Sequence, residues 1–259
     1  MGATDLKAAW AYRDLLRHLV LRDLRHKYKG SSLGFAWSLL HPVLMAAVYT
    51  VAFKLIVRLP IEHFPLFLLS GLLPWMFFSA ALSAASGAIV DNGMLVRKVA
   101  FPRLILPLAA VAAQLVQFAL MYVVIVPLLL VFGLGLSPAL VGLIPVILLQ
   151  VVFTAGLGLL LSTAYVYARD TRHLLEVGLQ VWFWMTPVVY SVAMVPAAIG
   201  QYLHWNPMAR FVTAYQDIVV GGRAPSLATF GILLACAGVA GFAGLIVFSR
   251  HQRRFAELV

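Results

Sequence analysis

The sequence predicts an all-α polytopic membrane protein with six transmembrane helices, an amphipathic N-terminal interface helix, and re-entrant helices between spans five and six. Three observations carry that prediction. All nine acidic residues (Asp5, Asp14, Asp23, Glu62, Asp91, Asp170, Glu176, Asp217 and Glu257) lie near the ends of the chain or between long apolar runs. A hydrocarbon core excludes unpaired charge, so charges punctuate spans. The chain is 63% hydrophobic and 11% charged, with mean hydropathy +0.97, whereas soluble domains carry roughly 45–50% apolar and about 25% charged residues. Its charge-free intervals also have the lengths of membrane helices.

Those intervals are 30–53, 63–90, 104–168, 177–209 and 224–249. A helix needs about 20 apolar residues to cross the bilayer core. The 65-residue interval 104–168 therefore holds two helices, broken at the turn-forming Gly133-Leu-Gly-Leu-Ser-Pro138. The expected spans are 36–57, 66–90, 104–132, 139–167, 174–193 and 228–249.

Six spans put both termini on one side. Of the 19 Lys and Arg residues, 15 fall on that side: in the N-terminal segment, the second-to-third and fourth-to-fifth loops, and the C-terminus. Only Lys54, Arg58, Arg210 and Arg223 fall on the other. The positive-inside rule places both termini in the cytoplasm. The same distribution assigns the net charge of +10 to a membrane surface and away from nucleic acid.

Residues 1–30 form the interface segment. Thr4 or Asp5 can cap a helix. Tyr12, Leu15, Leu16 and Leu19 then recur at i, i+3, i+4 and i+7, with Arg13, Asp14 and Arg17 facing away. Such a helix lies in the cytoplasmic interface or packs on other protein.

The segment 190–227 is too apolar for a solvated loop and is broken by Pro196, Asn206-Pro207 and Gly221-Gly222. Two short helices dipping into the outer leaflet explain it, and an extracytoplasmic cap is the competing reading. At bilayer depth, non-helical backbone survives only where protein or a water-filled cavity satisfies it.

Several chemistries are absent from the sequence. No carboxylate sits mid-span to serve an ion-coupled pump. No phosphate-binding G-x-x-x-x-G-K-[ST] loop occurs. Cys236 is single, and no His/Cys/Asp/Glu group has metal-ligand spacing. No Ser or Thr has a base partner in sequence. His41 precedes Pro42 inside the first span, where it suits a carbonyl freed by the proline better than proton handling. These absences weigh against an enzyme of lipid-linked sugars, and an ion channel would need a charged or carbonyl-rich filter.

Two features suggest a transport role. Aromatic residues crowd the outer halves of the first, second and fifth spans. They anchor helix ends as an interfacial belt, or line a path with Tyr49, Phe53, Trp182 and Tyr190. The loop 91–103 is short, basic and apolar. It either rests on headgroups or docks into a soluble partner through Met94, Leu95 and Val99.

Several segments, taken in order along nearly the whole chain, resemble the polysaccharide-type ABC exporter permeases. They are Tyr28-Lys-Gly-Ser-Ser-Leu-Gly-Phe-Ala-Trp-Ser-Leu-Leu-His-Pro42, Gly71-Leu-Leu-Pro-Trp-Met-Phe-Phe78, Asn92…Lys98…Phe101-Pro-Arg103, Tyr167-Ala-Arg-Asp170, Trp184-Met-Thr-Pro-Val-Val-Tyr190 and Trp205-Asn-Pro207. The chain is most similar to O-antigen (lipopolysaccharide) exporters, then to teichoic acid and capsule exporters.

The resemblance implies a single permease domain over 1–259 in the bacterial inner membrane. It implies a homodimer joined to two copies of a soluble ABC ATPase subunit, which carries ATP and Mg and does the hydrolysis. The cargo it implies is a lipid-linked glycan. The family pattern makes 91–103 the coupling loop, with Asn92, Met94, Leu95, Arg97, Lys98, Phe101 and Arg103 at the ATPase, joined by Arg169 and Asp170. It makes Trp205, Asn206 and Pro207 part of an outer gate. A drug, haem or lipid permease shares this fold, and an aromatic conduit distinguishes the glycan exporter.

Overall fold

The computed structural model of the chain describes residues 12–28 and 36–259, which form helices and turns without a β-strand. The expected caps Thr4 and Asp5, and residues 29–35 of the first motif, lie outside the described residues.

The first described helix, α1 (Arg13–Tyr28), packs along α5 (Ile105–Met121). Leu19 is buried in that contact, Leu15 and Leu16 are half-buried, and Tyr12 is exposed. The apolar stripe thus finds protein on at least one side.

Five helical stretches are long and apolar enough to cross a membrane: Ala36–Ile56, Phe64–Gly87, Ile105–Val131, Pro138–Tyr167 and Leu227–Leu258. The first comprises α2 (Ala36–Tyr49) and a π-helical turn, Thr50–Ile56. The Thr50 hydroxyl donates to the Ala46 carbonyl at 2.6 Å, at the junction where the helix widens. The second stretch is α3 (Phe64–Gly87), entered through His63 in the left-handed region and Pro65 in the first turn.

A short helix, α4 (Gly93–Lys98), precedes α5. After Met121 the chain tightens through a 3₁₀ turn, Tyr122–Val124, into α6 (Ile125–Val131). Pro127 has no N–H to give the carbonyl four residues back, which falls in that turn. Next come α7 (Leu143–Tyr167), α8 (Thr171–Trp184), α9 (Ala197–Leu203), α10 (Pro207–Val219), α11 (Leu227–His251) and α12 (Phe255–Leu258).

The expected fifth span, 174–193, is not one continuous helix. α8 has 14 residues, about 21 Å of rise, short of a bilayer core of about 30 Å. It ends at Trp184, before Pro187, whose ring cannot continue the ladder.

Helix α3 is the centre of the bundle and touches α2, α5, α7, α8 and α10. Tightest of all is the α7–α11 pair. A Cβ built on Gly156 would strike the Ala240 carbonyl, and one on Gly244 would strike the Gly156 carbonyl. These glycines let two backbones touch, the usual basis of helix association where lipid removes the hydrophobic drive. Polar side chains complete the core. Gln150 of α7 donates to the Pro74 carbonyl of α3 at 2.9 Å and accepts from the Tyr215 hydroxyl of α10 at 2.7 Å. All three elements are thereby tied at one buried point, and both ends of the amide are satisfied.

Candidate functional site

The molecule has a basic end, with Arg22, Arg97, Lys98, Arg103, Arg169, Arg172, Arg250, Arg253 and Arg254, and an opposite end organised around Asn206.

Asn206 caps α10, its Oδ1 accepting from the Met208 and Ala209 amides at 3.0 and 3.3 Å, with Pro207 in the first turn. The same oxygen accepts from Trp182 Nε1 at 2.8 Å. Its Nδ2 donates to the Met185 carbonyl at 3.0 Å and the Thr186 hydroxyl at 3.2 Å, and that hydroxyl donates to the Trp182 carbonyl. One side chain therefore staples the broken end of α8 to the start of α10. Gln216 extends the staple by donating to the Pro187 carbonyl at 2.9 Å. Trp205, by contrast, points away and is exposed.

The aromatic residues form a continuous band. Tyr49 lies 6.1 Å from Phe53 and 6.5 Å from Phe183. Phe183 meets Trp75 at 5.6 Å, and Trp75 and Phe78 meet Trp182 at 6.4 and 5.2 Å. Tyr49, Phe53, Trp182 and Tyr190 are each half-buried, with one side on the protein and one open. The Tyr190 hydroxyl donates to the Trp184 carbonyl at 3.2 Å, another group freed where α8 ends.

At the basic end the loop 91–103 is braced. Asn92 faces inward: its Oδ1 accepts from Arg22 of α1 at 3.0 Å, and its Nδ2 donates to the Ala88 carbonyl at 2.9 Å. Arg22 also pairs with Asp23 at 2.9 Å. Arg103 donates to the Gln252 carbonyl, and Gly93 lies against Val259, so the end of the chain supports α4 from behind. Val96 is buried, while Leu95 and Phe101 are half-buried against the core. Met94 (72% exposed), Arg97, Lys98 and Val99 (49% exposed) are left open.

Of the three expected anchors, Met94 and Val99 are thus outward and Leu95 packs inward. Arg169 sits 5.6 Å over the Tyr165 ring, and Asp170 is exposed at the start of α8. Tyr165 first, and the Asp91 carboxylate after it, favour the charged form of Arg172 and raise its pKa, and Arg172 also pairs with Glu176 at 3.7 Å.

Sequence reading missed Arg22, Phe183, Gln150, Thr186, Gln216 and residues 252–259 as parts of these assemblies. A signal existed for the glutamines. A lone amide in a long apolar run needs a partner, because burying it unpaired costs roughly 1–3 kcal/mol. The Arg22–Asn92 bond joins positions 70 apart and has no local signature.

A helical bundle with five membrane-length spans and no metal-binding group among the described residues defines a multi-pass membrane protein. Residues 14–220 match the family model of the ABC-2 type transporter, and the chain belongs to that family. It is similar to the O-antigen export system permease protein RfbA of Myxococcus xanthus, 36% identical over 98% of both chains. It is similar to the protein of the same name in Klebsiella pneumoniae, 32% identical over 95% of both. The polysialic acid transport protein KpsM of Escherichia coli is 24% identical over 90% of this chain and 92% of its own. Membership of this family implies partnership with an ABC ATPase subunit.

Proposed function

We propose that this protein is the transmembrane subunit of an exporter that moves a lipid-linked polysaccharide across the bacterial inner membrane. Two copies form the conduit, and two copies of a separate ABC ATPase, carrying ATP and Mg, drive it. The observation that carries this reading is the aromatic band from Tyr49 and Phe53 to Trp182, with Tyr190 tied to it through the Trp184 carbonyl, open on one side along two poorly buried helices. Aromatic faces suit sugar C–H surfaces, and phenol oxygens can accept hydrogen bonds from sugar hydroxyls. The RfbA relatives, named as O-antigen export permeases, support the same cargo class.

The sixth crossing in this reading is α8 plus residues 185–190. Asn206, Thr186 and Gln216 satisfy the non-helical backbone there, as hydrocarbon depth demands. Helices α9 and α10 are the re-entrant outer gate, α1 lies at the cytoplasmic surface, and the basic end with both termini is cytoplasmic. Met94, Arg97, Lys98 and Val99 meet the ATPase, with Arg169 and Asp170 as a second contact. Asn92, Leu95, Phe101 and Arg103 position that surface from behind.

The test is reconstitution. Permease and ATPase together in proteoliposomes should flip a lipid-linked glycan when given ATP, and the permease alone should move none. Paired Arg97→Glu and Lys98→Glu substitutions should leave stability within about 0.5 kcal/mol and abolish transport. Transport by the permease alone, or full transport by the charge-reversed pair, defeats the reading. A preference among O-antigen, capsule and teichoic acid lipids for stimulating ATPase activity identifies the cargo.

A further inference from the structure

Beyond the aromatic band, the opposite end carries a groove. One cavity of about 330 Å³ is bounded by Phe67, Ser191, Thr213, Gln216 and Asp217, within the ligand-pocket range of about 300–1,000 Å³. A second, of about 210 Å³, shares Val192, Thr213 and Asp217 with it and reaches His204, Arg210 and Thr229. The two make one groove with Asp217 at the junction. Ser191 directly follows Tyr190, so the groove opens where the aromatic band ends.

Arg210, Thr213 and Asp217 stand at i, i+3 and i+7 on one face of α10. The Arg210 guanidinium is oriented by His204, through Nδ1 at 3.0 Å and the carbonyl at 3.4 Å, with further N–H groups left over. The Thr213 hydroxyl donates to the Ala209 carbonyl at 2.7 Å and keeps its lone pairs. The Asp217 carboxylate makes no hydrogen bond or ion pair among the described residues.

A fixed donor, a hydroxyl acceptor and an open carboxylate suit a chain whose groups each donate and accept. Arg210 and Asp217 are separated by about 10 Å of helix rise. The phosphate and amine of one zwitterionic headgroup, only two carbons apart, are too close together to serve both.

Resting on the polysaccharide-export reading, we propose that this groove is an exit subsite holding about two sugar rings, the length set by that rise. Arg210 donates to, and Asp217 accepts from, the hydroxyls of the emerging glycan.

Saturation-transfer NMR tests it, using the permease–ATPase complex in phosphatidylglycerol nanodiscs and neutral mannose, galactose and glucose tetrasaccharides as probes. At least one probe should receive saturation from the wild type. Asp217→Asn and Thr213→Val should each cut that signal about fivefold or more, while Val239→Ala, on the exposed face of α11, leaves it intact. The proposal is overturned if no probe binds, if Asp217→Asn binds like wild type, or if glycerophosphoethanolamine displaces the sugar at equal concentration. The wild-type complex is assayed alongside for flipping of a lipid-linked glycan. Export without Asp217-dependent binding sinks the subsite alone, whereas absence of glycan export sinks the reading beneath it.

Discussion

Ala36–Ile56 and Phe64–Gly87 have nearly the same mean hydropathy, 1.8 and 1.7, yet 11% of the first and 78% of the second is buried. The difference comes from neighbours. Phe64–Gly87 is surrounded by α2, α5, α7, α8 and α10, while α2 rests mainly on α3 and α5. Val48, Leu44 and Met45 on α2 are exposed, as are Leu174, Val177 and Val181 on α8. In a bilayer, lipid or a second copy of the chain can cover such faces at little cost, so apolarity says that a helix is in the membrane and not what it touches.

The largest expected effect lies in the packed half. Gly156→Leu would drive a side chain into the Ala240 backbone, and a backbone cannot yield as a rotamer can. We expect a loss of at least about 3 kcal/mol, read as collapse of the thermal midpoint and of membrane yield. A folded, normally stable variant would mean that the α7 and α11 backbones are not in contact.

Next is Phe78→Ala in α3, which removes a fully buried ring stacked on Phe153 and edge-on to Trp182. It should cost about 3 kcal/mol, while Val48→Ala in α2 should cost under about 0.5 kcal/mol in the solubilised single protomer. Equal losses in thermal unfolding would mean that α2 is packed as tightly as α3.

Asn206→Ala should cost about 2 kcal/mol, from the lost α10 cap and the bonds to Trp182 and Met185. Asn206→Asp keeps the acceptor and should recover the larger part. Proteolysis between α8 and α10 and the Trp182 fluorescence maximum report it, and an unchanged spectrum in the alanine variant would remove the staple.

The smallest energetic effect reports which face meets a second copy. With Cys236 replaced by Ala, Val48→Cys should leave stability unchanged and cross-link two copies in native membranes. Cysteines placed outward on α11, at Val239, should not cross-link, and the reverse pattern would assign the partner to the wrong face.

Much of the architecture was legible along the chain. Four expected spans match the observed stretches to within three residues at each end, because charge and turn residues mark both boundaries; the last, 228–249, matches α11 (Leu227–His251) equally well, but the helical stretch runs on to Leu258. The fifth span was overextended. Pro187 was visible, but the Met185 and Pro187 carbonyls left open beyond α8 are satisfied by Asn206 and Gln216, which lie 19 and 29 residues after that proline. The bond from Arg22 to Asn92, 70 positions apart, was equally invisible along the chain.

Hydropathy and charge placement alone determined that the chain is helical, multi-pass and without a mid-span carboxylate, since the solvent imposes those terms residue by residue. Only the tertiary structure decided which equally apolar helix became the core. It also decided how the α8 break is satisfied and which side of the 91–103 loop faces outward. Those outcomes depend on pairs of residues far apart in sequence, and no local property of either member encodes the meeting.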